Sequence, residues 1–104
     1  MSESAPPKYV YKIVPARPPN PLPADLPLSE LDRADGFIHM STAQQVPGTL
    51  NRFFSTARSL HIMRIPYDRV SARTKWENTF PHLYGGEFGA KEVESVEEFS
   101  TEDG

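Results

Sequence analysis

Six of the thirteen residues from Pro15 to Pro27 are proline, at positions 15, 18, 19, 21, 23 and 27. Each lacks a backbone N–H and holds φ near one value, so neither a helix interior nor a central strand can persist there. The chain must run extended over the surface as a stiff connector or lid. Regular structure has to be built on either side of it. Just before it, Tyr9-Val10-Tyr11-Lys12-Ile13-Val14 is rich in β-branched and aromatic residues and stops at Pro15, which predicts a first strand. Residues 1–8 are polar and proline-rich and are expected to be disordered.

Beyond the connector, Ser29 to Asp32 predicts a single helical turn capped by Ser29, and Asp35-Gly36 a turn opening a strand, Gly36-Phe37-Ile38-His39-Met40. Ser41 or Thr42, with glutamine three positions later, forms a capping-box pattern for the main helix. Val46, Leu50, Phe53 and Phe54 follow at i, i+4, i+7 and i+8, one apolar helical face. Pro47 sits too far inside a helix starting at Thr42, which calls for a kink or for a loose first turn with the regular helix starting near Pro47. Leu60-His61-Ile62-Met63-Arg64-Ile65, ended by Pro66, reads as a central strand covered on both faces. Residues 67–74 read as loop. Lys75-Trp76-Glu77 and Phe80 to Tyr84 read as extended pieces joined by an Asn78-Thr79 turn, and Val93 to Phe99 as a charged edge strand.

With 104 residues, of which 38% are apolar and 11% aromatic, there is material for one modest core. The class is therefore a small single α+β domain over residues 9–99: five or six strands in a split antiparallel or mixed sheet, one main helix, and an acidic disordered tail at 100–104. Neither G-x-G-x-x-G nor P-loop spacing occurs, so Rossmann-type and P-loop folds are unsupported.

No cysteine is present, which excludes disulfides, thiolate metal sites and cysteine nucleophiles and points to the cytoplasm or nucleus. Met1 to Pro7 has neither a basic nor an apolar signal-peptide region, and no apolar stretch approaches the length of a membrane span. A net charge of −3 argues against general nucleic-acid binding. Ten Lys/Arg against seven Asp/Glu precede Glu87, whereas one lysine and seven acids follow from it, so the acidity belongs to the tail and the body is mildly cationic. Arg52, Arg58, Arg64, Arg69, Arg73 and Lys75 describe either an anion site or scattered surface charge.

Two clusters can carry chemistry. In an extended segment Phe37, His39 and Ser41 share a face, beside Thr42 at a helix start whose free N–H groups favour anions. The same residues also describe a half-buried structural histidine with Ser41 and Thr42 only capping. The second cluster is Trp76-Glu77 with Phe80, His82 and Tyr84 on one face, closed by Gly85-Gly86, where the backbone can turn sharply or approach a ligand. Core aromatics, with Glu77 paired to an arginine, account for it equally. A Ser/His/Asp hydrolase would need a G-x-S-x-G elbow that Ser41 lacks. No H-x-H, H-x-x-x-H or H-x-D spacing gathers metal ligands, so no metal site is expected. Nothing local sets Glu77 against Asp32 or Asp35 at the separation glycoside chemistry requires.

Tyr11-Lys12-Ile13, Ser29 with Asp32, the run Asp35-Gly36-Phe37-Ile38-His39-Met40-Ser41-Thr42, Gln45-Val46 with Thr49 and Phe53-Phe54, then Lys75-Trp76-Glu77 and Phe80-Pro81-His82-Leu83-Tyr84-Gly85 together resemble the DUF952 family. The resemblance runs from about Tyr9 to Phe99. The proline-rich stretch stands where bacterial members carry a tryptophan- and glycine-containing segment, which looks like a fungal-type version. The resemblance implies an ADP-ribosyltransferase-like fold whose cleft holds NAD or another nucleotide-like ligand, with transferase or glycohydrolase activity. By that analogy Glu77, His39 and His82 are the catalytic candidates, and Phe37, Ser41, Thr42, Trp76, Tyr84 and Gly85 line the ligand. NAD would be substrate or ligand. Separately from the resemblance, a monomer is expected, although the sequence does not fix the oligomeric state. The alternative is a non-catalytic interaction module that docks partners through the 15–27 connector or the last strand's edge.

Overall fold

Pro15 and Pro66 punctuate the two strands that organise the molecule. In the computed structural model, which describes residues 6–53 and 59–100, β1 (Tyr9–Val14) and β3 (Ser59–Pro66) pair antiparallel from Tyr9 opposite Pro66 to Val14 opposite His61. β6 (Ser95–Ser100) pairs on the other side of β3, giving the order β1-β3-β6. A second sheet has the order β2-β5-β4, from β2 (Ile38–His39), β4 (Thr74–Glu77) and β5 (Phe80–Leu83). Every strand pair is antiparallel, so the split sheet contains no parallel pair among the described residues. The sheets meet at one bridge, where Tyr11 and Ser41 exchange two backbone hydrogen bonds of 2.8 Å.

Opposed residues in an antiparallel pair share a face, so the registers decide what is buried. Val10, Met63 and Ile65 from the first sheet meet Ile38 and Leu83 from the second, joined by Met40, Val70, Phe88 and Val93. His39, His82, Lys75, Glu77 and Phe80 then fall on the second sheet's outer face. Asn78 and Thr79 form the two-residue β4–β5 turn, both with positive φ, as such tight hairpins need. The Thr79 carbonyl accepts a 2.7 Å hydrogen bond from Gln45 Nε2.

The helices follow their caps. Ser29 Oγ accepts from the Asp32 N–H, and Gly36, at φ 82°, closes α1 (Glu30–Asp35). Thr42 and Gln45 form a complete capping box, but it caps a 3₁₀ turn over Ala43–Gln45. α2 (Val46–Phe53) begins only at Val46, so Pro47 occupies the first turn, where its missing N–H has no intrahelical partner to lose. The expected loop at 67–74 is two 3₁₀ turns, Tyr67–Arg69 and Ser71–Arg73, running into β4. Phe54 of the expected helix face, and most of the expected disordered ends at 1–8 and 100–104, lie outside the described residues.

The proline-rich connector straps over the core edge. Leu26 N–H donates to the Phe88 carbonyl and Ala90 N–H to the Pro23 carbonyl, at 2.8 and 2.9 Å. Gly89 is required at this crossing: a Cβ there would lie closer than 3.0 Å to the carbonyl oxygens of both Pro23 and Ala24.

Candidate functional site

The outer face of β2-β5-β4 gathers residues that are far apart in sequence. His39 and His82 are register partners, and Phe37 and Tyr84 flank them just outside their strands. The Phe37 ring stacks on His82 at 4.2 Å and 21° and lies 4.5 Å from His39 and 5.2 Å from Tyr84. His39 meets His82 edge-on at 5.5 Å.

Each histidine is held by carboxylate. Glu77 Oε1 receives two hydrogen bonds, 2.6 Å from His82 Nδ1 and 2.8 Å from the Tyr84 hydroxyl. Those bonds, His82 first, hold the Glu77 carboxyl below the usual carboxylate range. The bond to Glu77, with desolvation, pushes the Tyr84 phenol above its ordinary value. With Glu77 ionised, Nδ1 must donate, which leaves Nε2 of a neutral ring as an open acceptor. Among the described residues nothing bonds to it, and the side chain is 14% exposed. A carboxylate fixing one imidazole nitrogen so that the other accepts a proton is the pairing that orients general bases. Glu77 Oε2 is equally unengaged among the described residues, on a side chain 44% exposed. Lys75 Nζ sits 4.9 Å over the Tyr84 ring and gives this end of the face a positive charge.

His39 is placed differently. Its Nδ1 lies 2.6 Å from Asp32 Oδ1 and its Nε2 3.0 Å from Asp35 Oδ2, because α1 presents both carboxylates, one turn apart, to the ring. Asp32 is buried and also faces Lys12 Nζ, 2.7 Å from its Oδ2. Burial alone would raise the Asp32 carboxyl, but attraction to Lys12 and hydrogen bonds from Lys12 and His39 outweigh it and hold it below its ordinary value. With both nitrogens engaged, His39 is built to hold position, whereas His82 keeps an open nitrogen.

The structure therefore brings Phe37, His39, Glu77, His82 and Tyr84 together, and places Ser41, Thr42, Trp76 and Gly85 elsewhere. Ser41 is buried at the inter-sheet bridge with its hydroxyl 3.1 Å from Thr49 Oγ1. The Thr42 side chain is spent in its capping box. Trp76 alternates to the opposite face of β4, where Nε1 donates to the Tyr67 hydroxyl at 3.0 Å. Gly85, at φ 66°, belongs to a turn whose carbonyls at Tyr84, Gly85 and Glu87 accept from the Arg73 guanidinium. Among the described residues, the basic side chains at 64, 69 and 73 go to separate partners. Arg64 pairs with Glu94, Arg73 closes this turn and Arg69 reaches the Lys91 carbonyl, while Arg58 is outside the described residues.

Sequence reasoning missed Asp32, Asp35 and Lys12 as site residues. Lys12 carried a signal: period two puts it on one strand face with Val10 and Val14, and a lysine on an apolar face calls for a buried acid. Among the described residues no group of three or more His, Asp or Glu is arranged to hold a metal ion. No helix among them is long and apolar enough to cross a membrane.

This is a two-sheet α+β domain with a histidine–carboxylate face, and its sequence places it in a family. The chain belongs to DUF952, described as a protein of unknown function, which matches residues 23–96. Protein CC0527 from Caulobacter crescentus, solved by X-ray crystallography, is similar at 25% identity and a TM-score of 0.67, over 86% of this chain and 84% of that one. A double-mutant form of CC0527 matches with the same values. No curated protein matches the sequence.

Proposed function

We propose that the outer face of β2-β5-β4 binds a nucleotide-like ligand such as NAD or ADP-ribose. The reading rests on the convergence of Phe37, His39, Glu77, His82 and Tyr84 on one face, with a stacking surface beside an open imidazole nitrogen and an open carboxylate oxygen. Phe37 and Tyr84 offer ring edges and faces to a base or nicotinamide. His82 Nε2 accepts a hydrogen bond or proton from a ribose hydroxyl or an attacking nucleophile. Glu77 Oε2 faces the ligand as a negative charge suited to an oxocarbenium-like ribose. The chemistry that uses both is cleavage of a ribosyl–nicotinamide bond, by transfer or hydrolysis, in line with the ADP-ribosyltransferase-like fold that the resemblance to DUF952 implies. Lys12, Asp32 and Asp35 hold His39, and through it the stack.

The test is a chemical-shift titration with NAD, ADP-ribose, nicotinamide and AMP, read at the amides of residues 36–42 and 76–86. Saturable shifts confined to these segments support the reading, and His82→Ala and Glu77→Ala should remove them while leaving the melting temperature nearly unchanged. No shift at millimolar ligand sinks it. One observation favours a second reading, a docking module: β6 lies at a sheet edge, onto which an extended peptide could add as a strand, and leaves Val96 and Phe99 36% and 46% exposed, one on each face.

A further inference from the structure

A second concavity lies on the far side of Asp32. Beneath the proline strap, between its Pro15–Pro19 and Leu26–Leu28 limbs, a half-open cleft of about 220 Å³ is walled by Val14, Leu26, Ile38, Met63 and Phe88. Its lining is apolar except at one end, where Ser29 lies beside the meeting of Lys12 and Asp32. The Lys12 side chain is 11% exposed, and among the described residues its ammonium makes a single contact, to Asp32 Oδ2. An ammonium carries three donors, and donors removed from bulk water and left unused are costly. Two of those N–H groups therefore remain for whatever fills the cleft.

The charge balance selects the kind of occupant. Asp32 already neutralises Lys12, so a carboxylate ligand would add an uncompensated charge beside a buried carboxylate. A carbonyl or hydroxyl oxygen accepts from Lys12 without that penalty, and the rest of the wall favours an apolar body. The volume exceeds the ~150 Å³ that suffices for a benzene-sized guest. We propose that the cleft beneath the strap is a second binding site, for a small uncharged molecule with an apolar body and one oxygen acceptor that takes the open donors of Lys12. Asp32 joins this site to the histidine face, because Oδ2 holds Lys12 and Oδ1 holds the backbone and ring of His39. A ligand on Lys12 is sensed at His39.

Acetophenone is a suitable probe, with ethylbenzene and benzoate as its apolar and anionic counterparts. Titrated into the full chain, acetophenone should give saturable amide shifts at Val14, Ala16, Ser29 and Asp32 and move the ring-nitrogen resonances of His39. Ethylbenzene and benzoate should each bind about tenfold more weakly. Ala16→Trp, at an exposed position lining the cleft, should abolish the acetophenone shifts at an unchanged melting temperature, and Leu28→Trp, at a residue 40% exposed, should do the same. The proposal is overturned if acetophenone gives no saturable shift, if ethylbenzene binds as well, if benzoate binds better, or if both folded tryptophan variants keep the site.

Discussion

Replacing Asp32 with asparagine removes one charge from the interior while nearly preserving side-chain size, and leaves the backbone N–H capped by Ser29 in place. The Lys12 ammonium, 2.7 Å away on a side chain 11% exposed, loses its counter-charge and is left with a neutral amide oxygen at best. Breaking a buried pair by removing one partner costs about 3–5 kcal/mol. Because Lys12 borders the open cleft, partial rehydration puts the pair at about 3 kcal/mol, and weaker bonds to His39 add about 1. A total near 4 kcal/mol is a large part of the ~5–15 that a domain of this kind possesses. Urea unfolding at neutral pH should show it as a lower midpoint with an unchanged slope. The pH dependence follows from the sign of the Asp32 shift. Its folded value is depressed, so its contribution is complete above about pH 4, the unfolded carboxyl's range, and is lost as pH falls through the lower folded value. The variant should lack that acid-dependent component. A loss under about 1 kcal/mol, or identical acid profiles in the two proteins, would refute the claim that this pair anchors the fold and the site.

Other outcomes follow from single residues. Gly89→Ala should cost several kcal/mol or release the strap, since its methyl group collides with the Pro23 and Ala24 carbonyls; hydrogen exchange at Leu26 and Ala90 reads the release, and a neutral result would contradict the crossing. His61 is buried and, among the described residues, neither ring nitrogen has a hydrogen-bond partner, Glu98 Oε1 standing 4.0 Å from Nε2, so His61→Leu should stabilise by about 1 kcal/mol in thermal or urea unfolding. A clear destabilisation would mean that the ring is satisfied after all. Glu77→Gln should bring the Tyr84 phenol back toward its ordinary titration range, followed by ultraviolet absorbance, whereas an unmoved midpoint would detach Tyr84 from Glu77.

The fold was legible where local chemistry decides. Pro15 and Pro66 end β1 and β3, Ser29 caps α1, and Asn78-Thr79 turns between β4 and β5, all readable without knowing a partner. Period two along β2 and β5 likewise grouped Phe37 with His39, and His82 with Tyr84. Their meeting on one face depends on the β2–β5 register, which no local pattern states. Trp76 departed because strand alternation sends it to the face opposite Glu77, and Ser41 because the inter-sheet bridge at Tyr11 draws it into the interior. The capping box was read correctly as a cap, yet a 3₁₀ turn absorbs it and moves the α-helix to Val46. Asp32 was hidden by distance: a carboxylate on a short, charged helical turn is ordinary until the lysine from β1, twenty residues earlier, is brought against it.

We propose that His82, fixed by Glu77, keeps Nε2 open toward a nucleotide-like ligand. Histidine ring-nitrogen spectra of the protein, recorded with and without ADP-ribose, test it most directly. The neutral His82 ring should carry its proton at Nδ1 and be bare at Nε2, with the Nε2 resonance moving saturably on adding ADP-ribose while the His61 resonances stay in place. A His82 ring protonated at Nε2 alone, or an Nε2 resonance indifferent to ADP-ribose, would contradict it.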